Sequence, residues 1–226
     1  MNHSVDDTAF IVPAAGSSTR FGGDKLMTLL DGVPVYLHCI RTVAPLLSPG
    51  RIILAVAPER IAEFQSVTAQ YLPDVTVHFV PGGASRTESV FHALEKARTL
   101  PGVQYAAVHD AARPFLTAEA FMKCLDAARV HQGALLCRKI CDTVKRVDSA
   151  GYACDTLNRD ELRAAETPQI FSLSALYEAT EKALQSGNVF TDDCQVMETF
   201  TPVRAYLVEH YGDNRKITFA GDLPNT

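Results

Sequence analysis

Short apolar runs alternate with amphipathic segments through the first two thirds of the chain. The apolar runs have the length of buried strands, and they are Ala9–Ala15, Arg51–Ala57, Val75–Val80, Tyr105–His109 and Ala134–Ile140. The segments between them have helical periodicity, and they are Pro34–Leu47, Pro58–Tyr71, a helix opened by Ser85, and Thr117–His131. Continuous apolar strands separated by helices predict an α/β fold, with a mostly parallel sheet that carries helices on both faces.

The pattern changes after Ile140. Residues 141–165 are polar and have no clear period, so we expect a hairpin arm or another excursion at the surface. A helix is predicted over Ser172–Ser186, with Gly187 as its C-terminal stop, and a late strand over Val203–Val208. We therefore predict one domain over residues 1–226, with an excursion at about 141–165.

Composition and charge narrow the classes of function. The 226 residues carry a formal net charge of −5 without a basic cluster, which argues against a nucleic-acid partner. No apolar run approaches the roughly 20 residues that cross a bilayer, so no membrane partner is expected. The first ten residues are acidic and lack the basic and apolar regions of a signal peptide, which leads us to expect a cytoplasmic protein.

The loop after the first predicted strand is a candidate phosphate site. It has small residues over Ala14–Thr19, followed by Arg20 and Lys25. Small residues let backbone N–H groups approach phosphate oxygens, while Arg offers a planar fork and Lys a compact charge. The spacing matches neither the P-loop nor Gly-x-Gly-x-x-Gly. On spacing alone, a solvated turn with two surface cations is an equal alternative.

Two other segments follow predicted strands. Asp110 and Arg113 come directly after the fourth strand, and Lys216 comes after the last one. Ligands of such sheets bind beyond the carboxyl ends of the strands, where a carboxylate can hold Mg²⁺ or a ligand hydroxyl. The alternatives are an aspartate that caps a turn and a lysine in solvent. His109 is expected to be a core histidine rather than a catalyst.

Several stretches taken together resemble one known family. They are IVPAAGSSTRFGGDK, HDAARPF, DTVKR, ETPQIF, TDD and GDNRKIT, between Ile11 and about Leu223. In this order they are similar to the 2-C-methyl-D-erythritol 4-phosphate cytidylyltransferases of the non-mevalonate isoprenoid pathway. The resemblance implies a Rossmann-like, GT-A-like nucleotidyltransferase sheet with a protruding dimerisation arm. It also implies an enzyme that transfers the cytidylyl group of CTP to 2-C-methyl-D-erythritol 4-phosphate and releases pyrophosphate.

The resemblance further implies roles for individual residues. The catalytic residues would be Arg20, Lys25 and Lys216. The nucleotide would be bound by Pro13, Ala14, Ala15, Gly16, Ser17, Ser18, Thr19, Gly82, Ser89, Asp110 and Ala111. The polyol phosphate would be bound by Asp110, Arg113, Thr143, Arg159, Thr191 and Lys216. Mg²⁺, or another divalent cation, would be held mainly through the CTP phosphates, with no certain protein ligand. The chain would be a homodimer through the 141–165 arm, with Arg159 reaching the partner's site.

The chain departs from the family pattern in four places. Asp24 stands where proline usually precedes the catalytic lysine, and this carboxylate is expected to weaken the field of Lys25. Ala84 replaces an acidic residue, Arg215 replaces isoleucine, and no further helix follows before Thr226.

Three other functions are weighed against this one. A ribitol-5-phosphate cytidylyltransferase would share the CTP loop, but the DTVK and TPQ stretches favour methylerythritol phosphate. A molybdenum-cofactor nucleotidyltransferase would share the Gly-x-Asp-Lys loop but not HDAARP. A non-catalytic nucleotide sensor would be free to lose Arg20 or Lys25, and both are present.

Overall fold

The computed structural model of the chain describes residues 5–16 and 21–223. In chain order its strands are β1 (Thr8–Pro13), β2 (Leu29–Leu30), β3 (Val33–Pro34), β4 (Ile52–Val56), β5 (Val77–Pro81), β6 (Tyr105–Val108), β7 (Gly133–Lys139), β8 (Lys145–Val147), β9 (Ala153–Thr156), β10 (Arg163–Ser172) and β11 (Tyr206–Glu209). Its helices are α1 (Val35–Val43), α2 (Ile61–Tyr71), α3 (Arg86–Arg98), α4 (Ala118–His131), α5 (Leu173–Ser186) and α6 (Asp193–Phe200). Short 3₁₀ turns cover Ala44–Leu46, Pro58–Arg60, Arg159–Glu161 and Ala220–Asp222.

A seven-stranded sheet in the order β11-β7-β10-β6-β1-β4-β5 forms the centre of the molecule. Its strands pair in parallel, except that β10 is antiparallel to both β6 and β7. The mostly parallel sheet predicted from the apolar runs is therefore confirmed. The carboxyl ends of β1, β5 and β6 lie along one edge, which is where such sheets bind ligands.

Both faces of the sheet are covered, and β1 shows why its sequence reads as a continuous apolar run. Phe10 and Val12 point into a core shared with α1 and α4, whereas Ala9 and Ile11 point into a second core shared with α3 and α5. Successive strand side chains face opposite sides, so a strand buried on both faces has no polar alternation. All four side chains are fully buried.

The helix boundaries follow from local chemistry. Ser85 Oγ accepts a hydrogen bond from Glu88 N (3.1 Å) and so caps α3, as its sequence predicts. The return bond of the predicted capping box differs, because Glu88 Oε2 accepts from Ala84 N (2.6 Å), one residue earlier. At the end of α5, Gly187 adopts φ 68°, a left-handed conformation that favours glycine and terminates the helix.

Besides the two-residue strands β2 and β3, the sequence prediction lacks β10 and α6. The ten-residue strand β10 has no recognisable strand periodicity in the sequence, because its first half contains Arg163, Glu166 and Thr167. In addition, Pro168 lies at the point where the register of β10 against β7 shifts, between Ala165 and Gln169. Helix α6 is short and begins with acidic residues, which resemble a loop. Because β10 begins at Arg163, the predicted 141–165 excursion ends at Leu162.

The excursion is a hairpin. Strands β8 and β9 form a separate two-stranded sheet, and all of their residues are exposed. Of the two forms expected for this segment, the hairpin arm is therefore the one observed.

Among the residues that the structure describes, no helix has the length and apolar character needed to span a membrane.

Candidate active site

A cavity of about 530 Å³ opens at the carboxyl edge of the sheet. Its walls come from the ends of β1, β5 and β6, the first turn of α3 and the C-terminal tail. They comprise Pro13, Ala14, Ala15, Gly16, Phe21, Lys25, Leu26, Gly83, Ala84, Ser85, Arg86, Ser89, Asp110, Ala111, Ala112, Lys216 and Thr218. The three segments singled out in the sequence thus meet in one place.

The loop after β1 supplies one wall. Residues 13–16 and Lys25 line the cavity. Ser17, Ser18, Thr19 and Arg20, which complete the predicted loop, lie outside the described residues. Of the two cations predicted to be catalytic in this loop, the structure therefore describes Lys25 alone.

The paired glycines after β5 have different environments. A Cβ atom on Gly82 would lie 2.3 Å from the Cβ of Ala15, so only glycine lets the β1 loop pack against this segment. Gly83, rather than the predicted Gly82, lines the cavity. Its N–H donates to Ser89 Oγ (3.0 Å), and Ser89 Oγ donates in turn to Ser85 O (2.9 Å). Gly82 itself packs against Ala15 of the β1 loop and does not line the cavity.

Asp110 is the centre of the ionic network. Its Oδ2 atom accepts from Lys216 Nζ (2.9 Å) and its Oδ1 atom from Arg86 Nε (3.2 Å). Arg113 Nε lies 3.6 Å from Oδ2. Burial opposes ionisation of this carboxyl, but the three cations outweigh it and hold the pKa of Asp110 well below its usual value. The carboxylate is therefore charged at neutral pH, and it orients cations rather than exchanging protons.

Arg86 is a site residue that the sequence analysis missed as such. It links Asp110 to Asp193, whose Oδ2 lies 2.8 Å from Arg86 Nη2. Burial opposes its charge, but these two carboxylates raise the pKa of Arg86. Its position in the sequence could have indicated this role. Arg86 comes three residues after the paired glycines, in the first turn of a helix that begins at the edge of the sheet where ligands bind. The interpretation of Ser85–Glu88 as a capping box obscured it.

The tail that carries Lys216 is fastened to β10 and to the loop after β6. Asn214 Nδ2 donates to Glu166 Oε2 (2.9 Å) and to Thr167 O (2.8 Å). Ile217 N donates to Ala112 O (2.8 Å). These bonds fix the direction of Lys216 toward Asp110.

Arg113 lies behind this wall rather than on it. Its Nη1 donates to Asn214 O (2.7 Å), and its side chain is only 11% exposed. Its Nε is buried and makes no hydrogen bond among the residues that the structure describes. The predicted role of Arg113 in binding the substrate phosphate stays a prediction.

His109 is a core residue, as expected. Its ring is fully buried, stacks on Phe10 and contacts Thr167 Oγ1 (3.1 Å) and Arg113 O (3.1 Å). Burial lowers the pKa of His109 to about 4, so the ring is neutral near pH 7.

Three predicted substrate residues lie away from the cavity wall of the described chain. Thr143 and Arg159 are exposed on the arm, where the Arg159 guanidinium donates to the carbonyl of Cys141. Thr191 is exposed beside the start of α6, and its hydroxyl donates to Gln195 (3.1 Å). Their roles stay predictions.

Two departures from the family pattern have simple structural roles. The Arg215 guanidinium lies 5.2 Å above the ring of Phe115, a cation–π contact at the outer side of the tail. Ala84 lines the cavity through a short side chain, and its N–H is bound by Glu88.

Comparison with known proteins shows which family the chain resembles. A model of the family described as 2-C-methyl-D-erythritol 4-phosphate cytidylyltransferase matches residues 8–226. Proteins of that name from Bacillus mycoides and Bacillus cereus are 36% and 37% identical over 215 residues, which cover 94% of this chain and 93% of each relative.

Solved structures give the same result. The 4-diphosphocytidyl-2C-methyl-D-erythritol synthase of Anaerococcus prevotii aligns with TM-score 0.81 and 29% identity, over 96% of this chain and 92% of that one. The 2-C-methyl-D-erythritol 4-phosphate cytidylyltransferase of Thermus thermophilus aligns with TM-score 0.75 and 27% identity, over 95% and 94%. With its sheet, its cavity and its matched length, the chain belongs to the 2-C-methyl-D-erythritol 4-phosphate cytidylyltransferase family.

Proposed function

We propose that the chain transfers the cytidylyl group of CTP to 2-C-methyl-D-erythritol 4-phosphate. The products are 4-diphosphocytidyl-2-C-methyl-D-erythritol and pyrophosphate, in isoprenoid precursor synthesis by the non-mevalonate pathway. The observation that carries the proposal is the meeting of the β1 loop, Lys25, Asp110 and Lys216 around one cavity. Family membership favours this acceptor over ribitol 5-phosphate, and an intact Lys25 favours an enzyme over a nucleotide sensor.

The reaction needs positioning more than proton transfer. An anionic phosphate oxygen of the polyol phosphate attacks the α-phosphorus of CTP, and the bond from that phosphorus to the pyrophosphate oxygen breaks. The nucleophile already carries charge near pH 7, so no strong base is required. The main obstacle is mutual repulsion of two polyanions, which Arg20, Lys25 and backbone N–H groups of the β1 loop would offset. Lys216 and Arg113 would hold the polyol phosphate.

Mg²⁺ is part of the proposal, although the described cavity wall offers it a single carboxylate. Asp110 is the only acidic residue along the described cavity wall, and both its oxygens already contact Lys216 or Arg86. Within the described ranges, no group of three or more acidic, His or Cys side chains is placed to hold a metal. We propose that Mg²⁺ is bound mainly by the phosphate oxygens of CTP and by water, where it would neutralise triphosphate charge.

Assembly and location complete the proposal. We expect a homodimer in which the hairpin arm of one subunit brings Arg159 to the partner's substrate phosphate. The exposed arm supports this, because a two-stranded hairpin has little stability without a packing partner. The cytoplasmic location and the lack of a nucleic-acid partner remain predictions from the sequence.

The proposal is tested by pyrophosphate release. The protein is incubated with Mg²⁺, each of the four nucleoside triphosphates, and either methylerythritol phosphate or ribitol phosphate. Release with CTP and methylerythritol phosphate, well ahead of every other pair, is the expected result. Equal use of all four nucleotides, or a preference for ribitol phosphate, would contradict it.

Replacement of Lys25 tests the chemistry within the same assay. Lys25→Ala should lower turnover by about 10² or more while thermal unfolding stays unchanged, because one well-placed cation contributes about that factor. Lys123→Ala is the matched control, since Lys123 is an exposed lysine on α4 that pairs with Glu119 (2.7 Å). Turnover at the level of the control would remove Lys25 from the mechanism.

A further inference from the structure

Asp24 places a carboxylate next to the lysine that is proposed to stabilise the triphosphate. In the structure this carboxylate forms an ion pair with Arg60. Its other oxygen accepts from Met27 N (3.3 Å), and the Asp24 carbonyl accepts from Thr28 N (3.0 Å) and Oγ1 (2.9 Å). Asp24 therefore starts the turn that holds Lys25, and its charge is directed toward Arg60.

Arg60 is itself held from several sides. It ends the Pro58–Arg60 turn that follows β4, and its Nε donates to Glu63 Oε2 (2.8 Å). Its guanidinium lies 4.9 Å from the ring centroid of Phe64. The bond to Glu63 and the charge of Asp24 together raise the pKa of Arg60 against the effect of burial. Because Glu63 and Phe64 hold the guanidinium independently of Asp24, it is well suited to act as a permanent counter-charge to that carboxylate.

We propose that Arg60 is a positioning residue for the transfer reaction: it neutralises the Asp24 carboxylate and thereby preserves the positive field of Lys25 at the triphosphate. Arg60 is absent from the cavity wall, so it acts through Asp24 and not on the substrate. This inference rests on the proposed function, because it assumes that Lys25 faces the phosphates of CTP. It also resolves the expectation that Asp24 weakens Lys25: the pairing with Arg60 offsets the carboxylate.

The test is a double-mutant cycle of Arg60→Gln and Asp24→Asn. Arg60→Gln should lower kcat/KM for CTP roughly tenfold, because it leaves an unbalanced negative charge on the residue that directly precedes Lys25. Asp24→Asn should stay within about threefold of wild type, since the amide keeps the turn and removes the charge. The double variant should recover to the level of Asp24→Asn, because position 24 then has no carboxylate that needs a counter-charge.

Two further variants separate charge from structure. Arg60→Lys, which keeps the charge, should retain most of the rate. Arg129→Gln removes a comparable surface pair, Arg129 with Asp7 (2.7 Å), from an arginine that is 34% exposed against 28% for Arg60. It should leave kcat/KM unchanged.

The outcomes decide between this inference and the proposed function. A rate for Arg60→Gln equal to wild type, or a double variant as slow as Arg60→Gln alone, would overturn the role of Arg60. The dissociation constants for CTP, measured by calorimetry without acceptor, should rank the variants in the same order. That ranking tests Arg60 even if the acceptor is not methylerythritol phosphate, whereas inactivity of the wild type with every acceptor would count against the function alone.

Discussion

His109 directly precedes Asp110, the central carboxylate of the site, but its buried ring is not placed to act as a general acid or base. Both of its ring nitrogens are occupied, by Thr167 and by the carbonyl of Arg113, and its ring packs on Phe10. These contacts join the end of β6 to β10 and so help to place Asp110, whose N–H donates to Thr167 Oγ1 (3.0 Å). A titratable residue beside an active site can thus be part of the scaffold.

The pKa of His109 makes a prediction about acid stability. Burial lowers this pKa from 6.5 to about 4, so the folded state resists protonation that the unfolded chain accepts. The stability is fully present above pH 6.5 and is lost as the pH falls toward 4, by roughly 3 kcal/mol if no other group compensates. Asp110 acts in a separate window, below its ordinary value of 3.8, because its pKa is lowered.

Urea unfolding between pH 7 and 4.5 measures this dependence. His109→Gln should flatten the slope relative to wild type, whatever its effect on stability at pH 7. In NMR spectra, the His109 ring signal should not titrate until about pH 4. A titration near pH 6.5 would show that the ring is not buried as described.

At the scale of elements, the sequence predicted what local periodicity and chain order determine. The buried strands and the larger helices follow from apolar runs, and the meeting of the β1 loop, Asp110 and Lys216 follows from the rule that parallel strands end at one edge. Contacts between distant segments were not predictable in this way. The pairing of Arg86 with Asp193 joins α3 to α6 across the sheet edge, and no local pattern marks it.

The packing of the glycine wall gives a prediction at this scale. Gly82→Ala would bring a Cβ to 2.3 Å from that of Ala15, so the loop after β1 must shift. Since small misplacements of binding groups are costly, kcat/KM for CTP should fall by about ten- to a hundredfold.

Steady-state kinetics on two companion variants would check the cause of that loss. Gly221→Ala is the matched control, because a Cβ there meets nothing within 4 Å, and it should behave as wild type. Adding Ala15→Gly to Gly82→Ala should restore much of the activity, since it removes the clashing atom. If the double variant is no better than Gly82→Ala, the clash is not the reason.

For the whole molecule, the question is what the arm does. The hairpin of β8 and β9 lies between β7 and β10 in the chain, and both of its strands are exposed. Arg159 lies in the turn that follows β9, outside the cavity of its own chain. A bidentate guanidinium is a strong ligand for a phosphate. In a two-fold symmetric dimer, each arm would reach its partner, and each subunit would depend on the other for a complete site.

Mixed dimers test this arrangement. Arg159→Ala and Lys25→Ala subunits, each inactive alone, should regain activity when they are assembled together. One of the two sites in each mixed dimer then combines a normal Lys25 with a normal Arg159 from the neighbour. Mixed dimers as inactive as their parents, or an active species that sediments as a monomer, would contradict a role for the arm in the partner's site.

The ion pairs of the site also determine how its cations are arranged in the absence of substrate. Asp110 and Asp193 keep Arg86 in place, and Asp110 also pairs with Lys216 and lies close to Arg113. Three cations with no anionic neighbour would repel one another and spread into solvent. Under the proposed function, the two carboxylates would hold these cations in place until a substrate phosphate takes over the contacts. Little reorganisation of the site would then be needed when the phosphate binds.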